Sequence, residues 1–412
     1  MWKQPWKYIE GWTISAGIFI TGTILQFITG KINPESFSFP VNIILGTGFL
    51  HFLLIFHLIS IKIKPLQWFS GHVAAITSLT SLLILIIIMG LTLQLPATVD
   101  LSNKSLMFRS GFMQMTVSWQ FLLLSFYLLS ILGLVILKRL SRFKLKDAGF
   151  ILNHAGLFIL FFAALLSSGD LQRLRMTVPV SETEWRGVNN KNEIVELPLA
   201  IELNSFTIDE YPPKLMLMDN NTGTVLPNGK PQNILVEKFP SFGKLLDWEL
   251  ETVKYLPAAA AMITKDTVNF IAFHSEGATA AVYVKAQNIN DGAQKEGWVS
   301  CGNFFFPQIS IKLNEKVTLF MPDREPKCYV SDVTVYVKNG GTKEALIEVN
   351  KPLSLAGWKI YQLSYETERG KWSRYSVFEL VKDSWLPLIY LGIVMLLAGS
   401  IFLIFSAPEI KN

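Results

Sequence analysis

The chain has 412 residues, half of them hydrophobic and only 17% charged, and its mean hydropathy of +0.35 is too apolar for an ordinary soluble globule. A formal net charge of +5 is modest over that length and no Lys/Arg run reaches the density of a nucleic-acid tract, so no nucleic-acid partner is expected. Two cysteines, Cys301 and Cys328, exclude a disulfide-dense scaffold and any four-thiolate zinc or iron–sulfur site within one chain.

Crossing about 30 Å of hydrocarbon takes roughly 18 or more apolar residues, and six runs qualify. They are 12–30, 41–61, 71–95, 117–137, 148–168 and 385–406. The first is longer than a signal-peptide core and is read as a retained helix. The segment 97–116, with Met107, Phe108, Phe112 and Met113 among Lys104 and Arg109, reads either as an amphipathic piece lying on the membrane surface or as a plain loop. Orientation follows from the short loops. Lys3, Lys7, Lys62, Lys64, Lys138, Arg139, Arg142, Lys144 and Lys146 lie on one side, against Lys31, Lys104 and Arg109 on the other. Both termini are therefore expected in the cytoplasm, and five preceding spans then put residues 170–384 outside it.

That segment has the composition of a water-soluble domain and reads as mostly strand. Runs at 199–208, 268–273, 280–284, 309–313, 330–338, 345–349, 359–365 and 375–381 are separated by turn chemistry such as Asn228-Gly229, Asn339-Gly340-Gly341 and Ala356-Gly357. The expected organisation is a five-span bundle over 1–169, an extracytoplasmic β-rich domain over 170–384, and a last span with a short cytoplasmic tail over 385–412. The fold class is thus an integral membrane α-helical bundle of six spans with a large mostly-β domain, either an antiparallel sandwich or an irregular barrel.

Soluble-enzyme motifs are absent: there is no phosphate-cradling loop, nucleophile elbow, His-Glu-x-x-His or Cys-x-x-Cys. Without Cys-x-x-Cys-His the chain carries no covalent c-type haem of its own. The histidines are His51, His57, His72, His154 and His274, and four fall in or beside spans, where an imidazole is costly. His154 stands about 9 Å along the fifth helix from its inner end, beside Ala155 and Gly156, whose small size admits a neighbouring helix or a flat ligand. Two roles stay open for it: an iron ligand, or a hydrogen-bonding residue that holds helices together. His51 and His57 lie about 120° apart round their helix and do not serve one metal from one face. His57 and His72 suit the headgroup level, and His274 an exposed turn. A Cys301–Cys328 bridge is permitted outside the cytoplasm but nothing in the sequence requires it. Trp12, Trp68, Trp119 and Trp385 read as interface anchors or core, with no Trp-rich cluster that would handle haem.

Three stretches resemble the ResB/CcsB proteins of cytochrome c biogenesis. The first is Asn153-His154-Ala155-Gly156-Leu157-Phe158 running on to Ser167-Ser168-Gly169-Asp170-Leu171-Gln172-Arg173-Leu174, and the second is Phe206 to Leu215. The third is Glu348-Val349-Asn350-Lys351-Pro352-Leu353 followed by Gly357-Trp358-Lys359-Ile360-Tyr361-Gln362 before the last span. The likeness covers roughly 148–406 and weakens over the first 145 residues. It implies a System II subunit in the bacterial inner membrane that holds or passes b-type haem for attachment to apocytochrome c. It also implies a CcsA/CcsC-like partner bearing a Trp-rich haem motif, a thiol-reducing thioredoxin-like protein nearby, and a non-catalytic or co-catalytic place in a haem lyase complex. His154 alone stands where that family has a transmembrane haem ligand, so it is the expected axial ligand to haem iron. Two other classes remain: a membrane-anchored adaptor or sensor whose β domain binds a protein, and a transporter. The near absence of ionisable residues and of paired interrupted helices in the spans argues against the transporter.

Overall fold

A computed structural model describes residues 4–101, 104–237, 240–264, 267–338 and 340–405. Lys3, Asn339 of the expected Asn-Gly-Gly turn and the tail 406–412 lie outside the described residues. The chain divides into two compact units, Met1–Gln172 with Val381–Asn412, and Arg173–Leu380.

The first unit is helical: α1 (Tyr8–Thr29), α2 (Val41–Lys62), α3 (His72–Leu91), the single turn α4 (Leu106–Arg109), α5 (Trp119–Leu140), α6 (Ala148–Ser167) and α7 (Leu386–Phe405). Six are long and apolar enough to cross a membrane, all but α4. Their ends follow local chemistry. α1 starts earlier than the apolar run because the Glu10 carboxylate accepts the Lys7 N–H at 2.8 Å. α3 stops at Leu91, short of its apolar run, because Thr92 is extended and the Leu95 N–H donates to Met113 O. Ser118 caps α5 through the Phe121 N–H, and Lys138 and Arg139 in its last turn complement the carbonyl end of the helix dipole.

The described residues of 97–116 hold the single turn α4 and a 3₁₀ turn rather than a plain loop. After α4, Gly111 turns the chain at φ +89 and a 3₁₀ turn, Phe112–Val117, leads into α5. Gln114 Nε2 donates to Pro96 O and Val99 O, and Lys31 Nζ to Ala97 O and Val99 O, so side chains tie the segment down.

α6 and α7 meet backbone to backbone. Gly149 and Gly156 on α6, and Gly392 and Gly399 on α7, repeat at seven residues and so keep one helix face small. A Cβ on Gly156 would stand 2.5 Å from Leu396 N and 2.7 Å from Gly392 O. Between the glycines, Asn153 Nδ2 donates to Ser400 Oγ at 2.7 Å and Leu396 O at 3.3 Å.

A polar clasp closes the other end of this pair. Ser167 Oγ donates to Asp383 Oδ1 at 3.1 Å, and a Cβ on Gly169 would meet Phe37 C at 2.5 Å and Pro34 O at 2.7 Å. Asp170 accepts from Phe39 N–H (2.7 Å), Asn42 Nδ2 (2.6 Å) and Trp385 Nε1 (2.8 Å), which binds the start of α2 and the approach to α7 to the end of α6. Burial pushes the Asp170 carboxyl up, but the indole, the backbone N–H and the amide outweigh it and hold it below its ordinary value. Because the folded value is depressed, this stabilisation is present above the ordinary carboxylate range, about pH 4, and is lost as pH falls through the folded value. Asp170→Ala is expected to lower the stability of the helical unit by about 1–3 kcal/mol at neutral pH, the worth of lost hydrogen bonds to a charged group. The deficit should shrink toward acid pH in thermal melts of the detergent-solubilised chain; a deficit constant down to acid pH would show that the carboxylate charge plays no part.

The second unit is β-rich. Its largest sheet runs in the order Gly341–Glu348, Pro326–Val337, Ile194–Glu210, Thr183–Val188, Gln172–Pro179, Tyr375–Lys382, Trp358–Tyr365 and Leu353–Leu355, and its two ends curl toward one another into a near-barrel. Alternate residues fill it, among them Leu174, Met176, Val178, Ile201, Leu203, Val333, Val335, Ile360 and Phe378, as the period of two requires. Two five-stranded sheets accompany it, one centred on Trp248–Ile263 and Thr279–Asn288, the other on Lys214–Asp219 and Val317–Phe320. They share a core that includes Leu215, Leu217, Leu250, Val282, Val284 and Leu319. Of the sandwich and the irregular barrel expected from the sequence, the largest sheet takes the barrel form. Cys301 and Cys328 are both free, so the permitted bridge is not made. Cys301 Sγ lies 3.4 Å from Thr279 Oγ1, and Cys328 Sγ lies 3.7 Å from Glu348 Oε2.

Candidate functional site

His154 occupies the second turn of α6, half-buried. Its Nδ1 is 2.9 Å from Phe150 O, four residues back. A carbonyl only accepts, so the proton is assigned to Nδ1, and Nε2 keeps its lone pair with no hydrogen-bond partner among the described residues. The imidazole stacks on the Phe150 ring at 3.7 Å between centroids and 22° between planes, and the Arg139 guanidinium carbon stands 5.0 Å from that same ring. Arg139 in turn pairs with the buried Asp147 at 2.9 Å. Phe150 and Arg139 had no assigned role in the sequence, because nothing there shows that the last turn of α5 folds over the first turn of α6. The result is an imidazole oriented by its own helix, with its second ring nitrogen outside any hydrogen bond among the described residues.

A structural role for the imidazole, a hydrogen bond to nearby backbone, is what the Phe150 carbonyl contact also satisfies. Asn153 makes the bonds from α6 to α7, whereas the imidazole bonds only to its own helix. The room left by Gly156 is filled by the α7 backbone, so of the two occupants expected for it, helix or flat ligand, it holds a helix.

The other histidines do not converge on His154 through any hydrogen bond or ring contact among the described residues. His51 bonds the carbonyl of Thr47 at 2.8 Å and is exposed, as are His72 at the start of α3 and His274 in its turn. His57 is half-buried. The packing of α2 on α6 is antiparallel: Gly46 faces Leu166 and Phe162, Phe49 stacks with Phe158 and lies tilted against Phe162, and Leu53 meets Phe158 at Gly133. No group of three or more His, Cys, Asp or Glu stands together to hold a bare metal ion among the described residues.

Residues of the other quoted stretches serve the β fold. Trp358 and Ile360 fill the near-barrel behind a turn at Ala356 (φ +51) and Gly357 (φ +80), and Gln362 Oε1 accepts from Ser331 Oγ at 2.6 Å. Glu348 pairs with Lys351 at 2.6 Å, and Glu210 with Arg324 at 2.9 Å.

Six helices long and apolar enough to cross a membrane, together with a β-rich unit, are what the described residues define. The ResB-like family model matches residues 269–373, within the β-rich unit. The resemblance read from the sequence is therefore shown over those residues, and such a family implies a role related to cytochrome c biogenesis. The match includes the stretches at 348–353 and 357–362 and does not extend to His154. No curated protein matches the chain.

Proposed function

We propose that the chain is a multi-pass subunit of a cytochrome c synthetase complex, and that His154 holds haem on its way to apocytochrome c. The observation that carries this reading is the imidazole itself: Nδ1 tied to Phe150 O, Nε2 unused, on the half-buried face of an apolar helix. The residues fit a haem iron to that extent. Haem, when bound, supplies the iron and the vinyl groups that apocytochrome thiols attack. The chain would supply a nitrogen ligand at His154, oriented by the Phe150 carbonyl and ring. A second nitrogen ligand would come from a CcsA/CcsC-like partner, with the half-buried His57 of α2 as the in-chain alternative. The test is a visible spectrum of the purified chain with its partner: a Soret band supports haem holding, and a colourless complex favours the adaptor whose β unit only binds a protein.

The same reading places both termini in the cytoplasm of a bacterial inner membrane and residues 170–384 outside it, on the asymmetry of loop cations. A cysteine at the exposed turn residue Asn190, in a Cys301→Ser/Cys328→Ser background, is expected to react with a membrane-impermeant thiol reagent in intact cells stripped of their outer barrier. Labelling only after lysis would invert the topology.

A further inference from the structure

The two ends of the helical unit differ in the number of loop cations they hold: Lys31, Lys104 and Arg109 stand at one end and the other described loop cations at the opposite end. At the end where α1 and α3 finish, Lys31 donates to two backbone carbonyls, and Gln26, Gln114 and Gln120 stitch the adjoining segments together. At the opposite end, where α2 and α5 finish, cations and large apolar side chains are left outward together. Residues 138–146 are exposed throughout and hold five cations. Arg139 is used by Asp147 and Lys138 by Ser70 O, but Arg142, Lys144 and Lys146 have no ion pair among the described residues. Between them stand Phe143, 54% exposed, and Leu145, 79% exposed. Lys144 is extended (φ −130, ψ 148), so Phe143 and Leu145 project on the side opposite its own ammonium group.

The last turn of α2 and the connection after it repeat the pattern. Ile61 (59% exposed), Lys62, Ile63 (46% exposed) and Lys64 alternate on the surface, with Ile63 extended. The Lys138–Ser70 bond, at 3.4 Å, ties the 3₁₀ turn that follows this loop to the end of α5, so both loops belong to one end of the unit. Water does not favour exposed isoleucine, phenylalanine and leucine, and packing has not covered them. A surface with hydrocarbon just beneath a layer of negative charge accommodates both halves of the pattern.

We propose that Ile61–Lys64 and Arg142–Lys146 form a binding seat for anionic phospholipid, with Arg142, Lys144, Lys146, Lys62 and Lys64 on the headgroup phosphates and Phe143, Leu145, Ile61 and Ile63 among the acyl chains. The proposal rests on the membrane-spanning reading of the six helices and is independent of haem. Its test uses the full chain in neutral detergent, melted with phosphatidylglycerol, phosphatidylcholine or inorganic phosphate. Phosphatidylglycerol is expected to raise Tm by about 4 °C or more over phosphatidylcholine, as a ligand of the folded state does, and inorganic phosphate to leave it unchanged. The triple variant Arg142→Gln/Lys144→Gln/Lys146→Gln should lose most of that difference, and Lys62→Gln/Lys64→Gln, on a separate loop, part of it. An equal response to the two lipids, an equal response to inorganic phosphate, or variants that keep the full difference would each overturn the seat. Failure of the membrane-spanning reading would show separately, as a chain that stays monodisperse without detergent.

Discussion

His154→Gly is expected to remove the Soret absorbance of the purified complex and to abolish cytochrome c maturation, with the protein still accumulating in the membrane. Losing an outer partner of a ligating histidine costs roughly 10–100-fold in metal affinity, so losing the ligand itself should cost more. The helix itself tolerates the change: the imidazole bonds only to Phe150 O within its own turn, and the joint to α7 is made by Asn153 and the glycines. Glycine leaves space where the ring stood against Phe150, so added imidazole should re-enter and restore part of the spectrum. His57→Ala separates the two sources of the second ligand. A retained Soret band with unchanged maturation assigns it to the partner, and a loss like that of His154→Gly assigns it to this chain. A His154→Gly complex with wild-type haem content and normal maturation would refute the ligand assignment.

The helices are legible in the sequence because a span must satisfy its backbone internally and shield it with apolar side chains over its whole length. Their ends are less so, since Glu10 reads as a charge outside a span until its carboxylate is seen capping α1. Strands that alternate buried and half-buried positions and carry aromatic and β-branched residues, such as Tyr375–Lys382, announce themselves. Trp248–Ile263 does not, because Pro257 and the alanines that follow have weak strand preference, and only pairing with Val268–Ala272 and Thr279–Asn288 holds them extended. Gln172–Pro179 was also missed: Leu174, Met176 and Val178 alternate with Arg173 and Arg175, yet the run reads as the exit of the fifth span. At the site, the sequence singles out His154 but not what orients it. The Phe150 carbonyl lies one turn back along the helix, whereas the Arg139–Phe150 contact depends on how α5 turns into α6. Asp170 sits in a quoted stretch without a role, because its three donors come from residues 39, 42 and 385.

Gly156→Leu is expected to separate α7 from α6. The new Cβ would lie 2.5 Å from Leu396 N and 2.7 Å from Gly392 O, and both are backbone atoms of a regular helix, so no side-chain rotation relieves the clash. Overpacking of a close-packed interior costs about 1–3 kcal/mol where side chains can yield, and here whole helices must shift, so the loss should lie at or beyond the top of that range. Displacing α7 also draws Ser400 and the Leu396 carbonyl away from Asn153, leaving its amide unpaired between the helices. Gly48→Leu on α2 is the matched control, since a Cβ there meets nothing within 4 Å. A cysteine pair at Asn153 and Ser400 reads the outcome directly: it should cross-link readily in the parent and the Gly48 variant and poorly with Gly156→Leu. Equal cross-linking in all three would mean that α6 and α7 are not held in this register. Because Gly156 stands two residues from His154 on a different face of the helix, haem content measured on the same samples tells whether the ligand needs α7 in place or only its own turn of α6.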